Sequence, residues 1–316
     1  MSPRTQHHRG TVLRTALATL VLLLAASLAN ARERALYLQL QDAPEDALSG
    51  LLERMASARP EGETRVPATQ AVAKLLERGH GDAVTDRALE SLGAWGTAQA
   101  GGVLSQYSSH RRPGARARAF TALGRVAGSD RALRELVANG LRDSVPEVRG
   151  ASARALEVLR ASEATPLLLR ALGRGVPEAA VTLGAIGDAG SLEGYNAYLR
   201  QQPLDVMLSG YDRYLKRTDL NERLKLDIVA RLEDVSGPAV LRFVSGVARS
   251  PQLPASVREA ASAAALRIAK AQNAPAAQPA KPGPAKLGVS GRPVQPAQPA
   301  AAPAGPRTQP AAGVKP

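Results

Sequence analysis

The chain has four histidines, and since His7 and His8 sit in its opening basic segment, only His80 and His110 are left to serve a reaction. His80 stands beside Gly81 and His110 beside Arg111, in loop-like sequence, and neither has an acid or second histidine at helical ligand spacing. A metal centre needs several convergent N, S or O donors. No such set is visible, and the chain contains no cysteine. Nucleophile elbows, phosphate loops and dinucleotide fingerprints are missing, and Gly93-x-x-Gly96 reads as part of a turn. The expectation is therefore no catalytic residue, no metal and no cofactor.

Two other groups could recognise a partner. Thirteen arginines stand against six acids between Arg111 and Arg174. If Arg116, Arg149, Arg154 and Arg170 fell on one side of a fold they would attract phosphates, acidic proteins or anionic lipid. The bland reading is scattered solvated arginines and structural braces. The second group is Tyr195-x-x-Tyr198 and Tyr211-x-x-Tyr214, four of the nine aromatic residues. Members of each pair share a helix face. Tyrosine suits interfaces because it covers much area with few rotatable bonds and keeps a polar tip. The alternative is that the rings fill a wide gap in the packing.

The elements that carry these residues repeat. Ala88-Leu89-x-x-Leu92-Gly93, Ala119-Phe120-x-x-Leu123-Gly124, Ser152-Ala153-x-x-Leu156 and Ala179-Ala180-x-x-Leu183-Gly184 return at intervals of 31, 33 and 27 residues, counted on Leu92, Leu123, Leu156 and Leu183. Each leucine lies three and four positions after a mostly small pair, so all three share one helix face that a neighbour can approach closely. A break and a second amphipathic run follow, as at Gly128-Ser129-Asp130 and Gly187-Asp188-Ala189-Gly190, where Ser or Asp can cap the next helix. A helical hairpin of this length cannot bury its own apolar face, so neighbours must stack. From Leu183 to the next leucine anchor, Leu232, the interval widens to 49 residues. An ordinary Ala- and Leu-rich bundle is the rival reading.

The stretch Leu141-Arg-Asp143-Ser-Val-Pro146-Glu-Val148-Arg149-x-x-Ser152-Ala153-x-Ala155-Leu156 resembles a HEAT repeat, and Ala179 to Leu192 is similar to the short HEAT-like repeats of phycobilin-lyase type. The resemblance implies an all-α fold, an α-solenoid of stacked HEAT-like helical hairpins. It also implies that Asp143 and Arg149 bond across the turn and stack between repeats. Arg116 and Arg258 keep the arginine, whereas Thr85 has lost it. The iron hydroxylases built from such repeats carry paired His-Glu steps, which this sequence lacks.

The ends differ from the middle. Arg4, Arg9 and Arg14 precede an apolar run from Ala16 to Leu28 and then Ala29-Asn30-Ala31, the pattern of a signal peptide over 1–31. A retained anchor is the rival, but an apolar run of about 13 residues is shorter than the roughly 20 that span a bilayer. From Ala271 to Pro316 there is no acidic or aromatic residue, so 271–316 reads as a disordered, basic Pro/Ala-rich tail. Between them, 32–79 reads as capping helices and 80–270 as the repeat domain. The expected protein is a non-catalytic scaffold, periplasmic or secreted, holding a protein or peptide partner. Attachment to an anionic envelope polymer or lipid through the tail is the alternative. Export and the scarcity of aromatics argue against nucleic acid.

Overall fold

The structure, a computed structural model, describes residues 36–273; the expected signal peptide and residues 274–316 lie outside the described residues. The described residues are helical, in the order α1 (36–42), α2 (Glu45–Ala58), α3 (Arg65–Arg78), α4 (Asp82–Trp95), α5 (Gly101–Tyr107), α6 (Pro113–Val126), α7 (Arg131–Asn139) and α8 (Pro146–Val158). Then follow α9 (Thr165–Gly173), α10 (Pro177–Ile186), α11 (Ala189–Asn196), α12 (Leu204–Lys216), α13 (Glu222–Val235), α14 (Pro238–Ala248) and α15 (Ala255–Asn273).

Local chemistry sets these boundaries. Pro113, Pro146, Pro177 and Pro238 open α6, α8, α10 and α14, where a missing N–H costs nothing. Asp130 and Asp188 cap α7 and α11, their carboxylates accepting from the backbone N–H of Leu133 and Ser191. Helix α15 runs to Asn273, three residues into the expected tail, because Ala271 and Gln272 are good helix formers and the first proline of that segment is Pro275.

The helices alternate between two rows. The even row α2, α4, α6, α8, α10 and α12 packs in succession, while α3, α5, α7, α9 and α11 form the odd row behind it. Leu92, Leu123, Leu156 and Leu183 are fully buried on consecutive even helices, each worth about 2 kcal/mol of removed apolar surface. They form one spine through the stack, as an α-solenoid requires and an isolated bundle does not. Small residues let the even helices meet closely. A Cβ on Gly124 would stand 2.8 Å from the Ala155 Cα, and one on Gly184 would strike the Gly210 carbonyl and come within 2.6 Å of the Arg213 Cβ.

The wide interval after Leu183 holds one further repeat. Helix α12 takes the next even position, and Gly210-Tyr211-x-x-Tyr214 stands where the earlier helices carry small-apolar-x-x-Leu, with Tyr214 31 residues beyond Leu183. After α12 the closest packing is between α14 and α15, with α13 also against α15.

Arg213 of α12 pairs with Glu157 of α8 at 2.5 Å, reaching past α10 and tying together two helices that are not neighbours in the row.

Candidate functional site

Tyr195, Tyr211 and Tyr214 are fully buried, which corrects the expectation that they touch a partner. Their rings pack edge to face, Tyr195 against Tyr211 at 5.0 Å and against Tyr214 at 5.6 Å. Each hydroxyl is satisfied inside the fold. Tyr195 donates to the Met207 carbonyl at 2.8 Å and Tyr211 to the Asn196 side chain at 2.7 Å, while Tyr214 lies 3.3 Å from the Ser191 hydroxyl. Burial raises all three phenols, that of Tyr214 to about 12. The rings are the core between α11 and α12. Of the four tyrosines only Tyr198 keeps part of its surface.

The arginines divide by the same test. Arg116 is 14 % exposed and grips Asp143 with two hydrogen bonds, 2.8 and 2.9 Å, across the α6–α8 boundary; it is a brace and not a contact residue. The Arg116 hydrogen bonds hold the Asp143 carboxyl below its ordinary range, and the bond from the Val145 N–H adds to this. Arg149 bonds Asp143 across the turn through the main chain, donating to the carbonyls of Asp143 and Ser144, both at 3.0 Å, while Arg116 of the preceding repeat takes the Asp143 carboxylate. Arg258 has no equivalent acid in the turn before it. Arg154 is exposed and pairs with Glu178 at 2.8 Å, and Arg118 pairs with Glu90 at 3.1 Å. Arg118 and Arg154 of the even row are thus each paired with an acid of that row.

The odd-row face differs. Helices α7 and α9 have nine residues each, and α9 rests on the short 3-10 turn Gly140–Arg142 more than on α7, which leaves a groove between them. One part, about 510 Å³, is lined by Ser129, Arg131, Arg134, Glu135, Ala138, Glu163, Ala164 and Leu167. Its charges are matched, Arg131 to Glu135 at 2.7 Å and Arg134 to Glu163 at 2.6 Å. The second part, about 280 Å³, shares Leu167 and is lined by Leu141, Ala171 and three exposed arginines, Arg142, Arg170 and Arg174. Among the described residues no carboxylate lies within ion-pair distance of these three. Tyr198 lies against Gly173, beside Arg174, 3.0 Å from where a Cβ would stand. The structure therefore keeps Arg170 and Tyr198 of the expected contact residues on this face, places Arg154 on the other, and adds Arg142 and Arg174. Their only signal in the sequence is the general excess of arginine over acid.

His80 and His110 stay apart from this groove. His110 stacks on Tyr107 at 5.4 Å and accepts from the Arg112 N–H, a local loop role. Among the described residues no cluster of three or more His, Asp or Glu could hold a metal ion.

Comparison with known proteins agrees with the packing: the family model described as HEAT repeats matches residues 69–157, from α3 through α8. That segment is similar to HEAT repeats, and the helices of the described residues stack as an α-solenoid. Such repeats are scaffolds that generally mediate protein interactions and are generally non-catalytic. No curated protein matches the chain significantly.

Proposed function

We propose that this chain is an exported, non-catalytic scaffold that holds a protein partner on the odd-row face of its solenoid. The observation that carries this reading is the α7–α9 groove. It is concave, preformed by two helices whose spacing the repeats fix, and floored by Leu167 with Ala138 and Ala164. A preformed groove binds without the cost of ordering its own walls. Export rests on the charge and hydropathy pattern of residues 1–31.

A photo-crosslinking residue placed at Ser129, on the groove, and separately at Val158, 59 % exposed at the end of α8, tests it in envelope extract of the native host. One protein, identified by mass spectrometry, should couple at Ser129 and not at Val158, and the adduct should vanish in a Leu167→Asp variant. Equal coupling at both positions, or none at either, removes the groove from the account.

A further inference from the structure

We infer that the arginine end of this groove, Arg142, Arg170 and Arg174, receives a cluster of carboxylates at one end of an extended peptide segment of the partner. The inference rests on the groove reading and adds the chemistry of what fills it.

The three guanidiniums come from two elements. Arg142 ends the turn after α7, Arg170 lies in the last turn of α9, and Arg174 follows that helix. Most other acids of this stretch are already engaged: Asp130 caps α7, Glu135 holds Arg131, Asp143 holds Arg116, Glu157 holds Arg213 and Glu163 holds Arg134. Basic residues near helix C-termini are partly offset by the helix dipole, about half a negative charge for each of the two helix ends here. That leaves the cleft with an excess of about two positive charges facing solvent. Guanidinium is matched to carboxylate by its planar fork of donors.

The shape favours a peptide over a small anion. From Glu163 to Arg174 the helical rise is about 17 Å, which an extended chain covers with about five residues. Along that line the charge-matched part offers the half-buried Leu167 over the buried Ala138 and Ala164, and the unmatched arginines come last. The occupant therefore has small or apolar residues at one end and acids at the other. Residues 274–316 of this chain do not qualify, since they hold five bases and no acid.

A fluorescent peptide of two alanines, a leucine and three glutamates, titrated with the full-length chain and followed by anisotropy, is the test. Saturable binding should weaken about tenfold between low and about 0.5 M salt. The variant Arg142→Gln/Arg170→Gln/Arg174→Gln should bind about tenfold less tightly while melting with the parent, and a peptide with lysines for glutamates should not bind. Equal binding by the parent and the triple variant overturns the inference. So does displacement by inorganic phosphate at the peptide's own concentration, or arginine-dependent sedimentation with phosphatidylglycerol vesicles that outcompetes the peptide. The two readings fail separately. If a partner couples at Ser129 equally well in the triple variant, the groove stands and its acidic occupant falls. If the peptide binds through the arginines but nothing couples at Ser129, the acid-binding cleft stands and the groove as partner site falls.

Discussion

The α6–α8 seam and the α7–α9 groove lie in the same two repeats, one on each row, and they use similar residues to opposite ends. At the seam Gly124 meets Ala155 and Arg116 is locked to Asp143. In the groove the helices stand apart, apolar surface remains open, and three arginines lack an acid. Under the proposed function, these repeats keep cohesion in one row and leave recognition to the other. Substitutions in the first should cost stability and spare binding, and substitutions in the second should do the reverse.

The largest effect is expected at the tyrosines. Tyr211→Ala removes a fully buried ring packed edge to face against Tyr195 and leaves the Asn196 side chain without its donor. Loss of about 3–5 kcal/mol is expected, read as a fall in denaturation midpoint. A melting curve within experimental error of the parent would place this ring outside the core. Gly184→Val comes next. Its side chain would meet the Gly210 carbonyl and Arg213, and overpacking of this kind costs about 1–3 kcal/mol. Gly102→Ala is its control, because nothing lies within 4 Å of a Cβ there; that variant should be neutral or slightly more stable.

These two predictions mark what the sequence discloses and what it does not. The anchor motif around each leucine, the Asp130 and Asp188 caps and the opening prolines are legible because each depends on residues within one or two turns, and the leucine period is legible because that motif recurs. The tyrosine pairs show a shared face by their spacing of three, but spacing cannot say whether that face points inward. The clue lay one level up, in the 31-residue step from Leu183 to Tyr214, which puts an aromatic in the anchor's place and so in the core. The arginines are harder still. Arg116 finds Asp143 27 residues away and Arg154 finds Glu178 24 residues away, so telling paired from unpaired needs the rotation between neighbouring hairpins. The α7–α9 groove is invisible for the same reason: it is a gap between helices and not a pattern within one.

Acid should separate the two rows. A carboxyl whose folded-state pKa lies below its unfolded value stabilises the fold at every pH above the unfolded value, and the contribution fades as pH falls through the folded value. Asp143 is such a group, lowered chiefly by the Arg116 hydrogen bonds. The contribution should be intact above about pH 4 and lost progressively below it. Asp143→Asn should lower stability at neutral pH by about 2 kcal/mol and flatten the acid limb of the stability profile. Arg142→Gln/Arg170→Gln/Arg174→Gln should leave that limb unchanged, since those arginines hold no acid. A flattened limb in the arginine variant would mean that the cleft is braced after all.

The smallest effect tests the rule from the other side. Arg154 and Glu178 are well paired at 2.8 Å, but the arginine side chain is 58 % exposed and the glutamate 31 %. Solvent screens such a pair and ordering two long side chains offsets the attraction, so Arg154→Ala should cost under about 1 kcal/mol. The same variant should bind the acidic peptide as the parent does, because Arg154 faces the even row. Position in the stack, and not membership of the basic stretch, then decides what an arginine contributes. A loss of peptide binding in Arg154→Ala comparable to that in the triple variant would dissolve the distinction between the two faces and make the whole stretch one diffuse positive field.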